Sequence, residues 1–295
     1  MARELAEILA QHKPALLIGN GINRHNSKAS ASWDDLLATL AARQGLSLTG
    51  TDALEMSNTE FFDILDLARA ETDRNSLQEE FCNLMEDWMP SAHHAEIVGW
   101  AKRHQRPVVT VNFDETLARS VDADFFRRGE HFTHFYPWSS YFSDREVRDP
   151  RKSFAIWHAH GMMRYKRSIR LGLTHYMGCV QRARPWVYGR KGLRANARNS
   201  FASWRGADSW LEVLFFCPLI LIGFGFGKDE TFLRWLFLER ARLHKLRPDW
   251  QTPTWFVDTQ TTRHARRRLF LKGLGMDVVT VPHYAVIYEN PAWQR

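Results

Sequence analysis

Cysteine is scarce in this chain: Cys82, Cys179 and Cys217 are three among 295 residues. They lie far apart and form no Cys-x-x-Cys pair, which excludes a cysteine-based zinc ribbon and argues against a disulfide framework. Long apolar runs are missing as well, and none approaches the roughly 20 residues that cross a bilayer. The opening stretch MARELAEILAQHK is amphipathic and carries acidic residues, unlike a secretory leader. The cytoplasm is the expected compartment. No internal repeat, low-complexity tract or known nucleic-acid-binding module is visible.

What is present belongs to an ordinary folded protein. Hydrophobic residues make up 44% and charged residues 25%, and 12 Trp with 19 Phe imply a bulky aromatic core. The length suits one large domain or two small ones. Net charge is +7, mostly from Arg concentrated at 182–205 and 234–268. That excess can form a surface for nucleic acid or another polyanion. The alternative is a solvated basic face plus a phosphate-binding cleft, and the lack of a nucleic-acid module favours it.

Patterning along the chain predicts an α/β protein. A helix is expected over 2–12 and a buried strand over 15–19. Ser32 opens the next helix, with Asp35 three positions on as in a capping box. Residues 58–103 read as entirely helical, an insertion at about 50–105 that is too long for a simple crossover. A second buried strand is expected at 107–111, a helix at 115–121, and strand candidates at 131–136 and 153–158. The Gly- and Arg-rich stretch 162–205 reads as loops with short helices around a cleft. Beyond it come a helix at 209–216, a strand at 217–223, a helix at 229–243, a strand at 254–258, a helix at 263–271 and a last strand at 277–281. Such alternation predicts a Rossmann-like, mainly parallel sheet with helices on both faces, in one domain spanning 1–295.

Ligands of open α/β sheets bind beyond the carboxyl ends of the strands, so the residues after each apolar run matter most. The first run, Leu16-Leu17-Ile18, leads into Gly19-Asn20-Gly21-Ile22-Asn23-Arg24. Its glycines allow a tight turn and let backbone N–H groups approach a phosphate, with Asn23 or Arg24 as further donors. Glycine needed only for strand–helix packing is the competing reading. The second run ends in Thr110-Val111-Asn112-Phe113-Asp114. Asp114 can simply cap the next helix; Asn112 has no such local role. The third ends in His158-Ala159-His160-Gly161. Imidazole as a side chain ordinarily suits acid–base work, which makes His160 a candidate general base. A His-x-His metal pair with Asp114, or core histidines, are alternatives, the core role chiefly for His158. The fourth run leads into Gly223-Phe224-Gly225-Phe226-Gly227-Lys228-Asp229, where Asp229 can cap the following helix. Asp258 ends another strand and can accept from a ribose hydroxyl or cap a helix. His175 and Tyr176 fall in the irregular region.

These four segments, in this order, resemble the Sir2 (sirtuin) superfamily. Its signatures are a Gly-Ala-Gly-x-Ser turn, a Thr-x-Asn-x-Asp strand end, a His-Gly pair and a late Gly-rich turn. Here the first is Gly-Asn-Gly with Asn23 in place of Ser, and the four-cysteine zinc module of the deacylases is missing. The chain is therefore most similar to the bacterial SIR2-like branch, whose studied members hydrolyse NAD in antiphage defence. The resemblance implies NAD as substrate and no metal. Asn112, His160 and Asp114 would be catalytic. Gly19, Asn20, Gly21, Asn23, Arg24, Gly223, Gly225, Asp229 and Asp258 would bind the dinucleotide, with Gly223, Gly225 and Asp229 flanking its adenosine half and His175 and Tyr176 near the nicotinamide. It further implies control by homo-oligomerisation or by a separate regulatory chain, an ATPase or a nucleic-acid-guided partner, since the fold would occupy nearly all of the chain. An NAD-dependent deacylase and a non-catalytic basic scaffold for nucleotide or nucleic acid are the alternatives.

Overall fold

In the computed structural model the described residues are 2–27, 30–46, 56–69, 76–127, 138–190, 192–195, 204–259 and 265–295. The elements run α1 (Ala2–His12), β1 (Ala15–Ile18), α2 (Gly21–Arg24), α3 (Trp33–Arg43), α4 (Asn58–Leu67), α5 (Leu77–Asn83), α6 (Ala92–Arg103), β2 (Val108–Thr110), α7 (Thr116–Arg119), β3 (Asp124–Phe126), β4 (Tyr141–Ser143) and β5 (Ile156–His158). A 3-10 turn (Met163–Ser168) leads to α8 (Leu173–Tyr188), then α9 (Trp210–Phe216), β6 (Leu219–Ile222), α10 (Thr231–Leu246), β7 (Thr254–Asp258), α11 (Ala265–Gly273), β8 (Asp277–Thr280) and α12 (Ala285–Tyr288).

The strands form one sheet in the order β3-β4-β5-β2-β1-β6-β7-β8. From β5 to β8 every pairing is parallel, and β3 and β4 add an antiparallel edge. The six parallel strands, numbered among themselves, follow 3-2-1-4-5-6, the doubly wound dinucleotide-binding order. The order reverses between β1 and β6, and a crevice opens there at the strands' carboxyl ends.

Period-two alternation sends successive residues of each strand to opposite faces. Ala15 and Leu17 join the core beneath α8, α9 and α10, while Leu16 and Ile18 join the core beneath α1, α6 and α12. A third core, built by α3, α4 and α5 with Ile169 and Leu171, forms a helical lobe. Only part of the expected helical insertion is therefore a lobe, because α6 covers the sheet.

The Ser32 capping box is present: Ser32 Oγ accepts from the Asp35 amide at 3.1 Å and Asp35 accepts from the Ser32 amide at 3.0 Å. The Ser32 hydroxyl, which donates to Asp35 Oδ2 at 2.6 Å, and then the Ser32 amide hold the Asp35 carboxyl below its usual range. Several expectations need correction. Helix does not run unbroken through 58–103, since turns and extended backbone separate α5 from α6 at 84–91. The 162–205 stretch contains the 16-residue α8, although Pro185 lies inside it. The buried residues Tyr176, Cys179, Ala183 and Val187 form a helical stripe on the core, and its burial outweighs one lost backbone bond. The strands β3 and β4 lie outside the expected elements, and the candidate strand at 131–136 falls outside the described residues. Among the described residues no helix is long and apolar enough to cross a membrane.

Candidate functional site

A cleft of about 660 Å³ lies at the carboxyl ends of β5, β2, β1, β6 and β7, with α3, α4 and α5 on its other side. Asn112 lines it, two residues beyond the end of β2 at Thr110, and is 4% exposed. Its backbone is clamped from both sides. The Asn112 amide donates to Thr110 Oγ1 at 3.1 Å, and its carbonyl accepts from His158 Nδ1 at 2.8 Å. Neither Oδ1 nor Nδ2 of its side chain has a partner. A buried amide left unsatisfied costs free energy unless a ligand or water completes it.

Orphaned polar atoms cluster around the same cleft. Trp33 Nε1, the Tyr176 and Tyr288 hydroxyls and Asp229 Oδ1 are buried without partners, and all four residues line it. Burial pushes both tyrosines above the ordinary phenol range. Burial first, then the neighbouring Glu230, raises Asp229.

His160 enters the cleft because Gly161 turns the chain. Gly161 has φ +94°, and a Cβ there would lie 2.2 Å from the Ser168 carbonyl oxygen. The His160 ring is 2% exposed; its Nε2 donates to Glu230 Oε2 at 2.7 Å, and its Nδ1 lies 3.1 Å from the Ala159 carbonyl. Tyr176 packs edge-on at 5.0 Å between centroids. Glu230, which reaches His160 from the far side of the β1–β2 pair, has no sign in the sequence beyond its place after Asp229. It also corrects the helix start: α10 begins at Thr231 with Glu230 as its N-terminal flank, and Asp229 does not cap it.

His158 takes the other role foreseen for it. Burial holds its imidazole below the usual range, so the neutral ring serves as a clamp on Asn112. Asp114 is committed too. Its Oδ2 accepts from Asn23 Nδ2 at 2.8 Å, and its Oδ1 accepts from the Thr116 amide at 3.0 Å and from the Thr116 hydroxyl. Asn23 Oδ1 in turn accepts from His94 Nε2 at 3.0 Å and Thr116 Oγ1 at 2.9 Å. His93 Nε2 donates to the Ile22 carbonyl at 2.8 Å. This closed network fastens α2, α6 and α7 beneath the cleft floor. His93 and His94 went unnoticed in the sequence, because an adjacent pair in a helix carries no spacing signal. Among the described residues no group of three or more His, Cys, Asp or Glu could hold a metal ion.

At the switch point the glycines pack backbone to backbone. A Cβ on Gly19 would fall 2.4 Å from the Gly223 carbonyl oxygen. The Gly19 amide donates to Ile222 at 3.0 Å and the Gly21 amide to Gly223 at 2.9 Å. Both amides are thus spent on joining β1 to β6. Asn20 binds Asn23 through Oδ1 at 3.1 Å and the Ala31 carbonyl through Nδ2 at 2.9 Å. Of this segment, Asn20, Gly21 and Arg24 line the cleft, whereas Gly19 and Asn23 lie beneath it. Gly223 and Gly225 line it from β6. At the β7 end Asp258 pairs with Arg267 at 3.2 Å, and Arg267 also donates to the Gly225 carbonyl at 2.6 Å.

No family model matches the chain, and no curated protein matches it. The chemistry of the cleft rests on its own residues. Of the expected site residues, the fold gathers Asn20, Gly21, Arg24, Asn112, Asp114, His160, Tyr176, Gly223, Gly225, Asp229 and Asp258 around one cavity. His175 stands apart: its Nδ1 accepts from the Gly172 amide at 3.2 Å and from the Leu171 amide, securing the start of α8. Glu230, Arg267, Trp33 and Tyr288 join the lining without having been singled out.

Proposed function

We propose that the cleft binds NAD and hydrolyses its nicotinamide–ribose bond, releasing nicotinamide and ADP-ribose. The observation that carries this reading is Asn112: a clamped backbone, a nearly inaccessible side chain, and two orphaned polar atoms in a cleft at the switch point of a dinucleotide-binding sheet. The Sir2-like order of the strand-end motifs supports it. An amide so placed can hold a water at the anomeric carbon and bind a ribose hydroxyl. The ribose–nitrogen bond breaks with its electron pair going to nicotinamide, through an oxocarbenium-like transition state. The water oxygen bonds to the anomeric carbon, and its proton passes to a base. His160 is that base once its Nε2 has passed its proton to the Glu230 carboxylate, the remaining ring proton staying on Nδ1 toward the Ala159 carbonyl.

The pyrophosphate fits the crevice beside Gly21 and Gly223 with Arg24 as counter-charge, and Asp258 is the ribose-hydroxyl acceptor at the β7 end. In the cell this chemistry would deplete NAD, as the resemblance to antiphage NADases implies, under control of a homo-oligomer or a regulatory chain.

The test is incubation of the purified chain with NAD, following nicotinamide and ADP-ribose by chromatography. Asn112→Ala and His160→Ala should each lower turnover by about a hundredfold or more with the fold retained. Unchanged turnover in both variants would overturn the site assignment. Salt-dependent affinity for DNA or RNA with no NAD binding would favour the basic-scaffold reading.

A further inference from the structure

The carboxylate expected beside the scissile bond, Asp114, is consumed by Asn23 and Thr116. Four other carboxylates line the cleft: Asp34, Asp229, Glu230 and Asp258. Three are already engaged: Asp34 by Asn58 Nδ2, Asp258 by Arg267 and Glu230 by His160. The Asp229 carboxyl takes a backbone hydrogen bond from Asn58, yet its Oδ1 is buried and has no partner. Glu230 binds His160 at 2.7 Å, Asp229 precedes it in the chain, and the Tyr176 ring lies 5.0 Å from that of His160. The acidic pair therefore stands at the Asn112–His160 end of the cleft. Arg267 stands at the other side, against Gly225 and Asp258, and Arg24 lies near Tyr288. Carboxylates thus gather at the Asn112–His160 end, while Arg267 stands at the β7 end in a pair with Asp258.

NAD carries a pyrophosphate in its middle and a cationic nicotinamide ring at one end. Resting on the NAD reading above, we infer that Asp229, backed by Glu230, recognises the positive charge of the oxidised nicotinamide ring and makes the cleft select the cationic dinucleotide over its reduced form. A carboxylate oxygen buried without a donor is costly, and an arriving cation offsets that cost. The reduced ring is uncharged and leaves the oxygen unpaired. When the ribose–nitrogen bond breaks, positive charge moves from the ring to the anomeric carbon, where the same carboxylates favour the developing sugar cation. Asp229 is thus a specificity-determining residue at the nicotinamide end, not a contact of the adenosine half.

The experiment is equilibrium binding by calorimetry, with three probes. Carba-NAD carries the cationic ring on a bond that cannot be hydrolysed, NADH carries the neutral ring, and ADP-ribose lacks the ring. Wild type should prefer carba-NAD over NADH by about tenfold or more. Asp229→Asn should lose most of that preference while ADP-ribose affinity stays within about twofold, showing the fold intact, and Asp229→Glu should restore it. An unchanged preference in Asp229→Asn overturns the inference and leaves the NAD reading standing. If wild type binds none of the three probes, the NAD reading itself fails, and this inference with it.

Discussion

His94 does the work of a structural residue with a titratable side chain. Its Nδ1 accepts from the Ser91 amide at 3.0 Å, so its Nε2 carries the proton donated to Asn23. Burial, then the neighbouring His93, pushes its pKa from 6.5 to about 3. Its sign follows from linkage. The unfolded chain takes up a proton near pH 6.5 and the folded one does not, so stability is full above that pH. It falls as the pH drops toward 3, where the folded ring is protonated as well. Thermal melts between pH 7 and pH 4 should show a declining Tm, less steep in His94→Gln, which keeps a donor for Asn23 but cannot charge. Equal slopes would show that His94 is not a source of acid lability. Asn112 is the opposite case at this scale. Its hydrogen bonds are made by its own backbone, to Thr110 Oγ1 and His158 Nδ1, its side chain is left for a ligand, and truncation should cost activity without much stability.

Among elements, legibility followed length and composition. The apolar runs of β1, β2, β6 and β7 were plain in the sequence because each is buried on both faces of a parallel sheet. The antiparallel strands β3 and β4 have three residues each, too few to show a period. For α8, the glycines and many arginines of the stretch suggested irregularity, while the stripe from Tyr176 to Val187 decided for helix once it met the core. The β5–Gly161–3-10 corner is the element with least tolerance. Gly161→Ala places a methyl against the Ser168 carbonyl at a positive φ that L-residues rarely adopt. It should cost about 1–3 kcal/mol or more, read as a lower urea midpoint, and shift His160 enough to reduce turnover as well. A variant as stable and active as wild type would mean that the corner is free to rearrange.

For the whole molecule, sheet order is the property from which the site follows. Placing β1 between β2 and β6 puts Asn112, the Gly-Asn-Gly turn and the 223–230 segment on one rim, although the turn and that segment are about two hundred residues apart. A ligand held across so many elements should stabilise all of them together. NAD at a hundred times its Kd should add about 2.7 kcal/mol to unfolding, seen as a rise in Tm. The rise should be smaller in Asn112→Ala at the same concentration, and a Tm indifferent to NAD would argue against binding in the cleft. The net charge of +7 comes mostly from Arg at 182–205 and 234–268, whereas Asp229 and Glu230 concentrate acid at one end of the cleft, so the bulk charge did not foretell the local field.

By itself the sequence determined the α/β class, the main strands and the points where polar residues follow apolar runs, because burial periodicity and glycine placement are local properties of a chain. Only the tertiary structure decided which of those polar residues face the cleft. Asp114 and Asn23 were drawn into a network with Thr116 and His94, Gly19 and Gly21 spent their amides on β6, and Glu230 came from across the sheet to His160. The physical reason is that a hydrogen bond between residues about 70 or more positions apart leaves no trace in local spacing. Which donors and acceptors remain for a ligand is known only after the fold has paired the rest.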